Sequence, residues 1–235
     1  MHEQNSFITL TYKDEHLVYG GQSYGILYPR HLELFWKRLR KHLRKPIRYF
    51  ACGEYGDTTN RPHYHACLFG HDFEDKTLYS SKNGINLYSS HTLDYLWGLG
   101  DCRIGDVNYE TAAYVARYIM KKKLGQAGEQ YKAEGVEPEF VRMSRRPGIG
   151  STWLDKFQDD VYPHDYAVIR NGIKVKPPKF YNLKYFKSHP LDEEDIKERR
   201  KLESYERWRN NTPQKLALRE RAKIKQLKTL TRKLE

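Results

Sequence analysis

Arg61 to Gly70 reads RPHYHACLFG. Successive side chains of a strand point to opposite faces, so His63 and His65 project side by side while Tyr64, Ala66 and Leu68 turn the other way. Two imidazoles on one face make half of a metal site. Upstream, Ile47 to Glu54 (IRYFACGE) is a β-branched and aromatic run that ends in the turn-prone stretch Tyr55 to Arg61, YGDTTNR. This order predicts a hairpin that folds Glu54 back beside His63. A carboxylate and two imidazoles converging from adjacent strands supply three ligands and leave positions open for water or a phosphate oxygen. Mixed Glu and His ligation suits Mg or Mn with a phosphate substrate, or Zn with a nucleophilic water, and spacing alone does not choose between them.

The 235 residues carry a net charge of +12, a pI near 9.4 and 14% aromatic residues. Excess cation with abundant tyrosine points to nucleic acid. No apolar run approaches the ~20 residues of a membrane-spanning helix. The N-terminus, MHEQNSFITLTY, lacks the basic head and apolar run of a signal peptide, so the expected location is the cytoplasm. Cys52, Cys67 and Cys102 form no C-x-x-C pair and fall in predicted strands, which reads as reduced core packing. Cys67 shares the strand parity of His65 and is a minor zinc-ligand candidate.

Along the chain, Phe7 to Tyr12 (FITLTY) alternates as a half-buried strand. Pro29 opens an amphipathic helix with Leu32, Phe35 or Trp36, Leu39 and Leu43 on its apolar side. Its other side carries Lys37, Arg38, Arg40, Lys41, Arg44 and Lys45, a solvated face or a phosphate rail. Asp72 to Ser90 reads as a polar surface insertion, His91 to Gly98 as a short helix, and Asp101 to Val107 as a short strand.

Asn108 to Gly125 (NYETAAYVARYIMKKKLG) has an N-cap, an acid in its first turn, three lysines in its last turn and a glycine stop. At about 100° per residue, Ala112, Val115, Ala116, Ile119 and Met120 gather on one side and Tyr114, Tyr118 and Lys121 on the other, with Lys122 beside them. The tyrosines therefore lie off the expected packing stripe. A phenol is a poor nucleophile until cations surround it and its electrophile is polarised. Lys121 and a metal held by Glu54, His63 and His65 would meet both needs, giving in-line attack on a phosphodiester and a phosphotyrosine link to a 5′ end.

FITLTY, PHYH within RPHYHACLFG, and YVARYIMKK resemble, in that order, the three motifs of HUH (His-hydrophobic-His) rolling-circle replication initiators. The combination is most similar to the initiators of single-stranded DNA bacteriophages of the microvirus family, gokushovirus type, over roughly Phe7 to Gly150. The resemblance implies an α+β fold with a central antiparallel sheet flanked by helices. It also implies a divalent-metal site at His63 and His65 and paired nucleophiles at Tyr114 and Tyr118. Such proteins nick the viral origin, stay joined to the 5′ end and rejoin the displaced strand as a circle. Glu15 and Asp57 compete with Glu54 for the third ligand position. Tyr118 begins a Y-x-x-K pattern, whereas Arg117 holds that offset from Tyr114, so the order of the two nucleophiles stays open. The tyrosines follow the histidines, which favours replication over conjugative relaxases, and a four-residue pair favours it over single-tyrosine transposases.

Phe140 to Trp153 (FVRMSRRPGIGSTW) places Arg142, Arg145 and Arg146 before a glycine turn, a basic surface turn or a DNA-backbone loop. With Arg38, Lys41 and Arg117 they make up the expected DNA contacts. Tyr166 to Phe186 reads as a hairpin centred on Asn171 and Gly172, with aromatics that pack or stack on bases. From Pro190 a mainly helical extension begins, and Gln214 to Lys233 holds eight Lys or Arg against one acid, Glu220. The expected organisation is 1–150 for the endonuclease domain, 151–189 for an aromatic hairpin extension packed on it, and 190–235 for a basic helical tail. No G-x-x-x-x-G-K-[ST] loop occurs, so helicase and polymerase are expected from the host. Two other classes keep their place: a noncatalytic nucleic-acid-binding module with a structural metal, and a metal-dependent nuclease that uses water.

Overall fold

The computed structural model describes residues 1–20, 25–56, 58–82, 84–121, 131, 133, 135–208 and 210–229, with the side chains of 117–121 and 227–229 outside the description. Strand β3 (Pro62–Phe69) is buried along almost its whole length. It pairs antiparallel with β1 (Asn5–Leu10) on one side and β2 (Arg48–Tyr55) on the other. Outward from these run β6 (Cys102–Gly105), β5 (Ile85–Ser89) and β4 (Thr77–Lys82) beyond β1, and β7 (Phe140–Met143) beyond β2. The resulting seven-stranded antiparallel sheet, with helices against it, is the expected α+β class.

Strand alternation gives the sheet two unlike faces. Ile8, Leu10, Tyr64, Ala66, Leu68 and Ile104 form one core with helix α1 (Pro29–Leu43), through Leu32, Phe35, Trp36 and Leu39, and with α2 (His91–Trp97), through Leu93, Leu96 and Trp97. Proline at the first helical position starts α1 where a missing N–H costs nothing. Gly53 lies on this face beside Phe140, and a Cβ there would come within 2.9 Å of the Phe140 ring. The opposite face carries His63, His65 and Glu54, with α3 (Tyr109–Lys121) against it.

Several tyrosines counted as a nucleic-acid signal work inside the fold. The Tyr12 and Tyr64 hydroxyls lie 2.8 Å apart, Tyr64 donates to the Tyr28 carbonyl, and Tyr55 donates to the Glu137 carbonyl at 2.7 Å. Buried aromatic hydroxyls need such partners, and these tie loops to the sheet.

Two local readings change. Asp72 to Ser90 is not merely a surface insertion: it contains the β4–β5 hairpin, which extends the sheet. Its polar composition suits an edge that faces water on both sides. Tyr166 to Phe186 is a hairpin only over β8 (Ala167–Val168) and β9 (Lys174–Val175). After Pro177 and Pro178 the chain turns helical in α5 (Lys179–Ser188), because prolines that end a strand also suit a helix entrance.

The chain divides into two compact units, Met1–Arg146 and Pro147–Glu235. The second contains α4 (Ser151–Phe157), α5, α6 (Pro190–Trp208) and α7 (Pro213–Thr229). Its core joins Leu154, Val161, Tyr162, Tyr185 and Ile196, so the start of the C-terminal extension shares a core with the segment before it. The Tyr162 and Tyr185 rings stack at 3.9 Å, which gives those aromatics a packing role. No helix among the described residues is long and apolar enough to cross a membrane.

Asp165 in this unit is buried and accepts from Lys176 Nζ and Arg200 Nε, each at 2.8 Å. Burial alone would raise its carboxyl, but the bonds from Arg200 and Lys176 outweigh that and hold it below the usual range. A depressed carboxyl contributes stability above its unfolded value, about 3.9, and loses it as pH falls through the lower folded value. Asp165→Asn is therefore expected to destabilise this unit by about 1–3 kcal/mol at pH 7, with the difference shrinking in acid below about pH 4; urea melts at both pH values check it.

Candidate metal centre

Glu54 and His63 are directly opposed across β2 and β3, as the hairpin reading requires, and His65 sits opposite both Cys52 on β2 and Thr9 on β1. Opposed residues of an antiparallel pair share a face, so the three ligand candidates meet on a sheet paired on both sides. Their ligand atoms all lie within 4.8 Å of one another, and all three residues are buried. His63 Nε2 is 2.7 Å and His65 Nε2 is 2.8 Å from the same atom, Glu54 Oε1.

Proton positions follow from the second contacts. His63 Nδ1 lies 3.0 Å from the Arg61 carbonyl, which can only accept, so Nδ1 carries the hydrogen. Its Nε2 then faces the carboxylate with either a lone pair or a second proton. His65 Nδ1 is 2.9 Å from Thr9 Oγ1, and the Phe7 ring stacks on the imidazole at 5.4 Å. Lone pairs and a carboxylate packed together in a buried site repel unless a cation lies among them. Glu54 Oε2 has no hydrogen-bond partner among the described residues, although it is buried. An orphaned carboxylate oxygen, two imidazoles oriented from behind, and a rigid sheet fit a divalent cation.

Burial would push the Glu54 carboxyl up, yet hydrogen bonds from His63 and His65 and their nearby charge hold it at about 2. It therefore presents a carboxylate at neutral pH. Cys67 is raised to about 12 by burial and remains a neutral thiol, which suits packing and not ligation. Glu15 is exposed in a short 3₁₀ turn and does not join the cluster; Asp57 lies outside the described residues.

Helix α3 begins with a reciprocal cap, in which Asn108 Oδ1 accepts from Thr111 N and Thr111 Oγ1 accepts from Asn108 N, both at 2.9 Å. From that start it places the Tyr114 hydroxyl against the ligand cluster, donating to Glu54 Oε1 at 2.8 Å. The Tyr114 and His65 rings meet edge to face at 5.0 Å. The expected packing stripe is corrected here: Thr111, Tyr114 and Val115 are buried, and Ala116 is exposed. The surface under α3 includes a carboxylate and imidazoles, so the helix turns a hydroxyl toward it. The side chains of Arg117, Tyr118 and Lys121, and Lys122 altogether, lie outside the described residues.

The expected DNA contacts divide. Arg38 and Lys41 project from α1, which covers the other face of the sheet, and Arg38 donates to the Trp97 carbonyl at 2.7 Å. Arg142 is opposite Ala51 in a core-face row, with its guanidinium 5.6 Å from the Phe140 centroid. None of these three shares the face of Glu54, His63 and His65. Arg145 and Arg146 are exposed just past β7. Sequence reasoning missed Thr9, Phe7 and the Arg61 carbonyl as the groups that set the imidazoles; the alternation of FITLTY opposite the H-x-H strand was the available signal.

Residues 5–123 match the family model for replication-associated proteins of the ORF2 type. The chain is 39% identical over 189 residues to replication-associated protein ORF2 of Spiroplasma virus 4, an alignment covering 77% of this chain and 57% of that protein. It is 32% identical over 194 residues to replication-associated protein VP4 of Bdellovibrio phage phiMH2K, covering 81% and 60% respectively. Replication-associated protein ORF4 of Chlamydia phage 1 is 34% identical over 130 residues, 52% of this chain and 31% of that one. The chain thus spans less than two thirds of the length of these relatives. No solved structure matches it.

Titration with Mn should show one tight site. Glu54→Gln should weaken it by about 10-fold or more, and Thr9→Val, which removes the partner of His65 Nδ1, by about 10-fold. Unchanged calorimetric affinity in both variants would remove the metal assignment.

Proposed function

The chain belongs to the family of ORF2-type replication-associated proteins, and from that premise we propose that it is a replication initiator that nicks and rejoins single-stranded DNA at a phage origin. The observation that carries this reading is the Tyr114 phenol hydrogen-bonded to a carboxylate that two histidines also face. A phenol kept only for packing has no need to reach a ligand cluster on a rigid sheet.

In this reading Glu54, His63 and His65 hold Mg or Mn, with Zn less suited, and the ion when bound polarises the scissile phosphate. Thr9 and the Arg61 carbonyl fix the two imidazoles so that both Nε2 atoms face inward. Tyr114 is held with its oxygen at that point and attacks phosphorus. The phosphorus–O3′ bond breaks, the proton lost by the phenol is balanced by one gained on the departing 3′-hydroxyl, and the 5′ end stays on Tyr114. The ester retains the energy of the phosphodiester, so a free 3′-hydroxyl reverses the step without a nucleotide cofactor.

Tyr118, four residues on, is the second nucleophile in this scheme, able to cut again while Tyr114 is occupied. Lys121 and Lys122 supply positive charge that favours the phenolate. Arg117, Arg145 and Arg146 hold the DNA backbone. Arg38, Lys41 and Arg142, placed on the other face, serve at most a nonspecific electrostatic role, as does the basic extension from Pro190. Helicase and polymerase come from the bacterial host, whose cytoplasm is the site of action.

The test is incubation with single-stranded origin DNA and Mn, followed by denaturing electrophoresis and mass spectrometry of the protein. Tyr114→Phe keeps the ring and loses one hydrogen bond, at a stability cost of about 1 kcal/mol. Wild type should carry a DNA adduct that Tyr114→Phe loses at that position, and the Tyr114→Phe, Tyr118→Phe double variant should lose altogether. Cleavage without an adduct would establish a water-using nuclease instead.

A further inference from the structure

The metal-ligand face of the sheet extends beyond the cluster. Register places Arg103 on β6 opposite Thr9 on β1, and Thr9 opposite His65 on β3, so the three side chains form one row on one face. Two strand spacings put Arg103 about 10 Å from His65 along that row. The Arg103 guanidinium lies over the Tyr79 ring, 3.7 Å from its centroid. Its one hydrogen bond is to the carbonyl of its own neighbour, Cys102, and no carboxylate pairs with it among the described residues.

Tyr79 sits at the register shift between Leu78 and Ser80 in β4, an irregularity of the kind that re-aims a side chain out of strict alternation. The ring is 59% exposed even with the guanidinium on it. No core claims it: it belongs to neither hydrophobic cluster described above. The pair therefore offers a free aromatic surface and an unneutralised, planar cation beside the ligand row. Base–aromatic stacking and arginine forks on phosphate are what single-stranded nucleic acid uses on such a surface.

We propose that Tyr79 and Arg103 form a nucleotide subsite on the metal face, with a base of the single strand stacked on Tyr79 and Arg103 on the adjoining phosphate. The subsite rests on the reading that this face handles single-stranded DNA. It positions the strand across the sheet from β4 toward His65 and takes no part in bond breaking. It also gives the β4–β5 hairpin a purpose beyond extending the sheet.

The test is binding of a fluorescein-labelled single-stranded oligothymidylate in EDTA, read by anisotropy over a range of salt concentrations, so that cutting plays no part. Tyr79→Ala should raise Kd by about 5- to 50-fold, and Tyr79→Phe, which keeps the stacking surface, should stay within about twofold of wild type. Arg103→Gln should weaken binding and lower the slope of log affinity against log salt by about 0.7. With 5-iododeoxyuridine in the oligonucleotide, irradiation should cross-link Tyr79. Thermal melts of the variants should match wild type, since the ring is exposed. Wild-type binding with Tyr79→Ala equally tight and no cross-link at Tyr79 would overturn the subsite and leave the nicking proposal standing. Failure of wild type to bind any single strand would remove both.

Discussion

One buried carboxylate oxygen carries three neighbours, two imidazole nitrogens and a phenol, all within 2.7 to 2.8 Å. A buried anion is tolerated only when its surroundings supply compensating charge or hydrogen bonds. Three elements meet to supply them here: β2 brings Glu54, β3 brings both histidines, and α3 brings Tyr114. The docking of α3 onto the sheet is thus tied to the chemistry of the cluster, and a change of charge there is felt by the helix that carries the phenol.

The sheet keeps its two tasks on separate faces. Tyr64, between the histidines, turns into the core and bonds Tyr12 and the Tyr28 backbone. His63 and His65 turn the other way. Tight packing on the first face, including the glycine at position 53 that lets Phe140 approach, fixes the strands. A fixed backbone is what holds ligand atoms to the precision that metal and phosphate chemistry require. Cations on α1 are on the wrong side for this work, because that helix was recruited to cover the apolar face.

Much of this was legible because periodicity and spacing are local. H-x-H on a strand, a turn-rich stretch after IRYFACGE, and a capped helix with an acidic start each carry their structure within a short span of chain. Glu54 beside His63 followed from the hairpin alone. The rotation of α3 did not follow, because apolar residues were assumed to mark the packed side, whereas Tyr114 is drawn inward by a carboxylate 60 positions away in the chain. The β4–β5 hairpin was hidden by its polar composition, which is what an exposed sheet edge requires. The Arg103–Tyr79 pair joins residues of different strands through a register shift, and no local pattern announces it.

Crystals grown with Mn and measured at the manganese absorption edge test the heart of this most directly. The prediction is a single strong anomalous peak within coordination distance of Glu54, His63 Nε2 and His65 Nε2, with the Tyr114 oxygen beside it. A map with no peak there, or with the ion held by other residues while Glu54 keeps both histidines to itself, would contradict it.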